Sequence, residues 1–384
     1  MKIKLLFAIS ETFAKTGDFR RHFIISQFAD ALSKKGITCK IIDDLDIYGN
    51  SKLNKKYLRW ITKPQKLENI INEFKPDIVF TERASHFSSQ ILKYKIPLII
   101  FVRGENILPH YWSDVNWKKQ SLDKSLTKEL EAIAKQKIAE KCFRNSFLIL
   151  PICEYLKKIV SKNCPDKAVN VLYQGIDESD WFYQKGLKLK HPCVGLLQGA
   201  EIWEKAKEML ILPKVMEKMP DVNFYWVGDG PYRDKILPAL EKFDNFHWLG
   251  HLKYPDEVRQ FFSEIDIYAL ISGMDMSPHT LLEAGLMKKP ILATNVGGIS
   301  ESCKDGETCF LIKKNDSNDW INKILALLND KAKMKEMGEK GSSYVRENFS
   351  WDKIANDFIS ILESNSYLAS DKKKLRCSSK SSKN

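Results

Sequence analysis

The chain alternates short apolar runs with longer stretches of mixed polarity. Residues 3–9, 39–43, 77–81, 97–102, 147–151 and 169–173 are the runs of the first half, and 193–197, 223–227, 246–249, 266–271, 291–294 and 309–312 those of the second. Runs this short, nearly continuous in apolar residues and bounded by charged or turn-forming ones, predict strands buried on both faces. Between them the spacing changes to the helical period. Phe23, Phe28 and Leu32 give 23–35 one apolar face. Further helices are predicted from Glu154, over 256–263, 279–287, 318–329 and 332–348, and over 351–364 at the end. Such alternation predicts an α/β architecture with parallel sheets. A chain of 384 residues exceeds what one core usually fills, so two doubly wound, Rossmann-like domains are expected.

The stretch 272–302, SGMDMSPHTLLEAGLMKKPILATNVGGISES, concentrates the candidate chemistry. Ser277 suits an N-cap and Pro278 the first helical position, where no backbone donor is needed. Lys288 and Lys289 complement the dipole at the helix end, Pro290 stops it, and Gly297-Gly298 turns the chain after the next strand. At the helix start the N–H groups of His279, Thr280 and Leu281 form a candidate anion site. Glu283 follows within a turn, and Asp275 precedes it with seven residues between them. A phosphate-binding helix tip flanked by two carboxylates that accept sugar hydroxyls suits a nucleotide-sugar. An ordinary capped helix with solvated acids is the plainer alternative.

Charge and cysteines narrow the partners. With 61 basic and 49 acidic residues the net charge is +12, which fits nucleic acid, an anionic membrane surface or phosphorylated substrates. No helix-turn-helix, zinc-finger or RNA-recognition signature is present, so no nucleic acid is expected. No apolar run approaches the roughly 18 residues of a membrane span. The start, MKIKLLFAIS, imitates a signal peptide, but its apolar stretch ends before Glu11 without a small-residue cleavage site, so it reads as a first strand. Eight cysteines without a CxxC pair suggest free thiols in a reduced, cytoplasmic protein rather than a disulfide framework or zinc site. From 367 onward the composition, ending SDKKKLRCSSKSSKN, predicts a disordered basic tail. It reads as solubilising, with peripheral contact to an anionic membrane at the inner face as a further role.

The acid-x7-acid pattern Asp275…Glu283, the string LLEAG…KPILATNVGGI and their order resemble the retaining glycosyltransferases of family 4, which have the GT-B fold. The resemblance extends from about Ile3 to Ser364. Gln174-Gly175-Ile176-Asp177 is similar to the family's hinge, with Gln in place of Asn. It implies an acceptor-binding domain over 1–183, a nucleotide-sugar domain over 184–350, a helix over 351–366 crossing back to the first domain, and the tail over 367–384. The segment from Gly199 to Lys205 resembles the family's glycine-arginine…lysine, whose cations hold the diphosphate. Lys205 matches, but Ala200 stands where the arginine is, leaving Lys207, Arg233 and Arg20 as candidate substitutes. Gly228-Asp229-Gly230-Pro231 resembles the turn at which the backbone approaches the nucleotide. Acceptor-side candidates are Gly17 and Arg20 in the loop after the first strand, and Arg103 and Glu105 at the end of run 97–102. The family often has a histidine near that end; here it is arginine.

By the resemblance, Glu283 accepts from the ribose hydroxyls and Asp275 from the donor sugar. Lys205, with the helix tip at His279–Leu281 and Ser277 beside it, stabilises the departing diphosphate of a UDP-, GDP- or ADP-sugar. The acceptor is a glycan or lipid-linked glycan. Retention of configuration without metal or other cofactor is implied, and His22 and His279 rank below the acids and Lys205. Two alternatives stay open: a GT-B epimerase or phosphorylase, and a degenerate, non-catalytic binding protein.

Overall fold

The computed structural model describes residues 3–9, 20–44, 47, 64–113, 115 and 125–378, and for 20, 21 and 366–378 it describes the backbone alone. The apolar runs form two six-stranded sheets. In the first, β1 (Lys4–Ile9), β2 (Thr38–Asp43), β3 (Ile78–Thr81), β4 (Leu98–Val102), β5 (Leu148–Pro151) and β6 (Ala168–Val169) take the order β2-β1-β3-β4-β5-β6. In the second, β7 (Cys193–Leu197), β8 (Asn223–Val227), β9 (Phe246–Gly250), β10 (Ile267–Leu270), β11 (Ile291–Thr294) and β12 (Phe310–Ile312) take the order β12-β11-β10-β7-β8-β9. Every pairing is parallel, which is why the strands read as continuous apolar runs rather than alternating ones. Run 169–173 is the exception: only Ala168–Val169 pairs with β5. Beyond it the chain bends into the hinge.

Strand order reverses between β1 and β3 in the first sheet and between β7 and β10 in the second. Loops leaving the carboxyl ends there diverge, opening a crevice for ligand. In the second domain those loops are the two that carry Lys205 and Asp275.

The final helix, Trp351–Ser378, belongs to the first domain's core. Ile354, Ala355, Phe358 and Leu362 are buried there, and Trp351 stacks on Phe28 with ring centroids 5.4 Å apart. The helix continues to Ser378, where a disordered tail is expected from 367. No glycine or proline interrupts Trp351–Ser378, so nothing in the sequence stops it. Residues 379–384 lie outside the described residues.

A second correction concerns the cysteines. Cys303 and Cys309 form a disulfide, their Cα atoms 6.0 Å apart. The turn between them closes through Thr308 N donating to Lys304 O (2.9 Å) and Gly306 N to Cys309 O (2.8 Å). The cysteine pattern is therefore no argument for a reducing compartment. No helix among the described residues is long and apolar enough to cross a membrane.

Candidate active site

The carboxyl ends of β7 and β10 are fastened by one buried amide. Gln198 Nε2 donates to Ile271 O (2.8 Å), and Ile271 N donates to Gln198 Oε1 (3.0 Å). Beyond this point the two loops interlock through backbone. Gly273 N donates to Lys205 O (2.9 Å), and a Cβ at 273 would stand 2.2 Å from Glu204 O. Only glycine permits that approach. It brings Lys205 onto Asp275, and the two form an ion pair, 26% and 12% exposed. From the other side Gly298 N donates to Asp275 O (3.1 Å). Cβ atoms at Gly297 and Gly298 would lie 1.9 Å from Asp275 O and 2.0 Å from Met276 O, and Gly297 has φ +56°. The glycine turn thus clamps the back of the Asp275 loop.

The helix His279–Leu286 starts one residue later than the capping pattern implies. Pro278, extended at φ −70° and ψ 120°, takes the cap position, so Ser277 is not the cap and no side chain caps the helix. Leu281 N donates to Pro278 O (3.1 Å), leaving the amides of His279 and Thr280 as the orphan donors of the tip. The Thr280 hydroxyl accepts from Tyr268 OH (2.7 Å). Glu283 is fully buried beneath, its Oε1 3.2 Å from His279 Nδ1, while His279 Nε2 lies 3.0 Å from Gly175 O of the hinge. A carbonyl only accepts, so Nε2 carries a hydrogen toward Gly175 O, and Nδ1 faces the Glu283 carboxyl group.

The turn Gly228-Asp229-Gly230 packs directly on the chain after β7. Ala200 N donates to Asp229 O (2.8 Å), and Cβ atoms at Gly228 and Gly230 would meet Gln198 O at 2.0 Å and the Ala200 carbonyl carbon at 2.6 Å. A Cβ at Gly199 would make only ordinary contact there, 3.6 Å from Asp229 O. Ala200 itself is fully buried among core residues, so the arginine position is closed rather than empty. Of the substitutes suggested by sequence, Lys207 pairs with Glu204 (2.7 Å) and Arg233 with Asp229 (3.1 Å) and Asp234 (2.9 Å). The side chain of Arg20 lies outside the described residues. The cation that sequence reasoning missed is Lys314, just past β12, whose Nζ donates to Gly273 O (3.1 Å) and reaches Glu204 Oε1 (3.4 Å). Glu204 is pushed up by burial, but Lys207 and Lys314 outweigh this and hold it below the usual carboxylate range.

The first-domain wall differs from expectation. Arg103 bridges Glu82 (3.3 Å) at the end of β3 to Gln174 (3.3 Å) of the hinge, remaining a quarter exposed. Glu105 does not face the cleft: it is 2% exposed and takes hydrogen bonds from Tyr155 OH and Ser113 Oγ, both at 2.6 Å. A charge placed after a strand is commonly exposed, but here two hydroxyls neutralise the cost of burying it. Gly17 lies outside the described residues, and His22 is exposed. The two domains meet through Glu301, which accepts from Glu154 N (2.7 Å), Tyr155 N (3.2 Å) and Tyr173 OH (3.0 Å). A second-domain carboxylate thereby caps the first-domain helix Glu154–Asn163. Met276, beside Asp275, is buried in the first-domain core. His191, Cys193 and Asp266 gather their donor atoms within 4.8 Å, but at the amino end of β7, opposite the cleft.

Residues 194–330 match the family model described as glycosyl transferases group 1. The second domain is a glycosyl transferases group 1 domain. Across the chain, an uncharacterised glycosyltransferase of Methanocaldococcus jannaschii is 30% identical over 210 residues, covering 54% of this chain and 57% of that protein. The chain spans about half the length of the curated relatives it matches. Sucrose-phosphate synthase from Thermosynechococcus elongatus superposes with a TM-score of 0.73 at 13% identity, covering 94% of this chain and 98% of that one. Anabaena HepE in complex with UDP-glucose gives a TM-score of 0.66 at 14% identity, covering 94% and 100%. The fold is therefore GT-B. Within the glycosyl transferases group 1 domain lie Lys205, Asp275, the helix tip, Glu283 and Lys314.

Proposed function

We propose that the protein is a retaining glycosyltransferase that moves a sugar from a nucleotide-sugar to a hydroxyl of a glycan or lipid-linked glycan. The Lys205–Asp275 ion pair at the mouth of the helix tip carries this reading. An incoming diphosphate competes for the ammonium and is held by Lys205, Lys314 and the amides of His279 and Thr280. Asp275, released from Lys205, accepts a hydroxyl of the donor sugar. Glu283 accepts the ribose hydroxyls, positioned by His279. As the sugar–phosphate bond breaks, positive charge grows on the sugar and negative charge on the phosphate, and these groups stabilise both. The leaving phosphate takes the acceptor's proton, and the acceptor attacks from the same face. The first domain supplies the acceptor, with Arg103 at its wall. Cation and amide donors serve the diphosphate, so the reading uses no metal ion or other cofactor.

The test is sugar release and transfer from UDP-, GDP- and ADP-sugars, with and without magnesium, and with the anomeric configuration of the product read by NMR. Release of one nucleotide with retention, abolished in Asp275→Ala, supports the proposal. The buried Ala200 favours the second reading, a non-catalytic nucleotide-binding protein. That reading predicts nucleotide binding with no release from any donor.

A further inference from the structure

The helix Leu126–Asn145 buries only Ala139, Cys142 and Phe143. On its outward side Leu126, Leu130 and Ile133 are 71%, 58% and 45% exposed, and Tyr111, 61% exposed, stands beside the helix with its hydroxyl on Glu140. The same helical stripe continues through Lys137, Lys141 and Arg144, all exposed. One face is thus apolar along its first half and cationic along its second. Glu131 lies off the stripe and pairs with Lys128 (3.1 Å) and Lys135 (3.0 Å), and Glu129 flanks the apolar half, while Glu140 pairs with Arg144 (2.7 Å), so Lys137 and Lys141 carry most of the stripe's positive charge. The helix lies between β4 and β5, so its Leu126 end stands at the carboxyl edge of the first sheet, where the cleft opens.

We propose that this face docks on an anionic lipid bilayer. A helix with aliphatic side chains and lysines on one exposed stripe lies in the interface, its apolar residues among the acyl chains and its cations among the phosphates. The +12 net charge favours an anionic surface and opposes a second copy of this chain, which would bring like rows of lysine together. Docking sets the cleft edge against the membrane, where a lipid-borne acceptor is presented. That last step rests on the transferase reading; the membrane contact does not.

The experiment is co-sedimentation of the full chain with phosphatidylcholine vesicles, pure or containing about a third phosphatidylglycerol. The wild type partitions onto the anionic vesicles only. Leu130→Glu with Ile133→Glu, and separately Lys137→Glu with Lys141→Glu, each lower that partition by more than about tenfold. Circular dichroism and nucleotide binding stay unchanged, which separates loss of docking from loss of fold or donor site. Changing Lys372, Lys373, Lys374 and Arg376 to Glu leaves most of the binding in place. The proposal is overturned if the wild type ignores anionic vesicles, if only the tail variant loses binding, or if the helix variants instead break a dimer that does not bind vesicles.

Discussion

Lys205 and Asp275, seventy positions apart in sequence, are ion-paired because Gly273 lets one loop lie directly on the other. The pair has a consequence for ligand binding. Asp275 competes with phosphate for the ammonium, so Asp275→Ala binds a bare nucleoside diphosphate as tightly as the wild type or up to about tenfold more tightly. Turnover of the nucleotide-sugar falls more than about a hundredfold, because the sugar loses its carboxylate. Calorimetry and a nucleotide-release assay on one variant separate the two effects.

Lys314 reaches the same loop from β12. Lys314→Ala weakens nucleoside diphosphate binding by about three- to tenfold and leaves the corresponding nucleoside unaffected. An equal loss for diphosphate and nucleoside places Lys314 in a structural role instead.

His279 links the hinge carbonyl of Gly175 to the buried Glu283. His279→Ala leaves that carboxylate without this partner in the interior and lowers unfolding stability by roughly 2–3 kcal/mol. Glu283→Gln costs less stability but weakens binding of ribonucleotides more than of their dideoxy counterparts. Thermal denaturation and calorimetry check the two arms.

Gly175 sits against Trp351, where an added Cβ would lie 2.4 Å from the indole. Gly175→Ala therefore forces the final helix off the hinge and destabilises by about 1–3 kcal/mol, read as a lower denaturant midpoint.

Cys153 lies at the domain contact, with Gly298 against its sulfur, and burial pushes its thiol up to about 12. It is protonated and shielded near pH 8, so iodoacetamide labels it slowly. Glu301→Ala removes the cap that joins the domains and speeds labelling of Cys153 by about tenfold, the value of one charge-assisted hydrogen bond. Peptide mass spectrometry gives the rate; an unchanged rate removes Glu301 from control of the contact.

The parallel strands and the helix that carries Glu283 were legible because they are local: continuous apolar runs, a proline stop, fixed spacings. What escaped depends on distant partners. Glu105 is buried because Tyr155 and Ser113 reach it, and nothing in run 97–102 announces them. Ser277 matches a cap by composition, yet Pro278 occupies the position by its own backbone angles. Helix Leu126–Asn145 turns its leucines outward, so its apolar positions mark no core face. The Cys303–Cys309 disulfide follows from a turn that the spacing alone does not specify.

The most direct measurement of the central claim is calorimetric titration of UDP, GDP and ADP, without magnesium, into the wild type and Lys205→Ala. One nucleoside diphosphate binding the wild type and weakened more than about tenfold by Lys205→Ala is the predicted result. Binding of none, or binding that Lys205→Ala leaves unchanged, contradicts a diphosphate site at this lysine and helix tip.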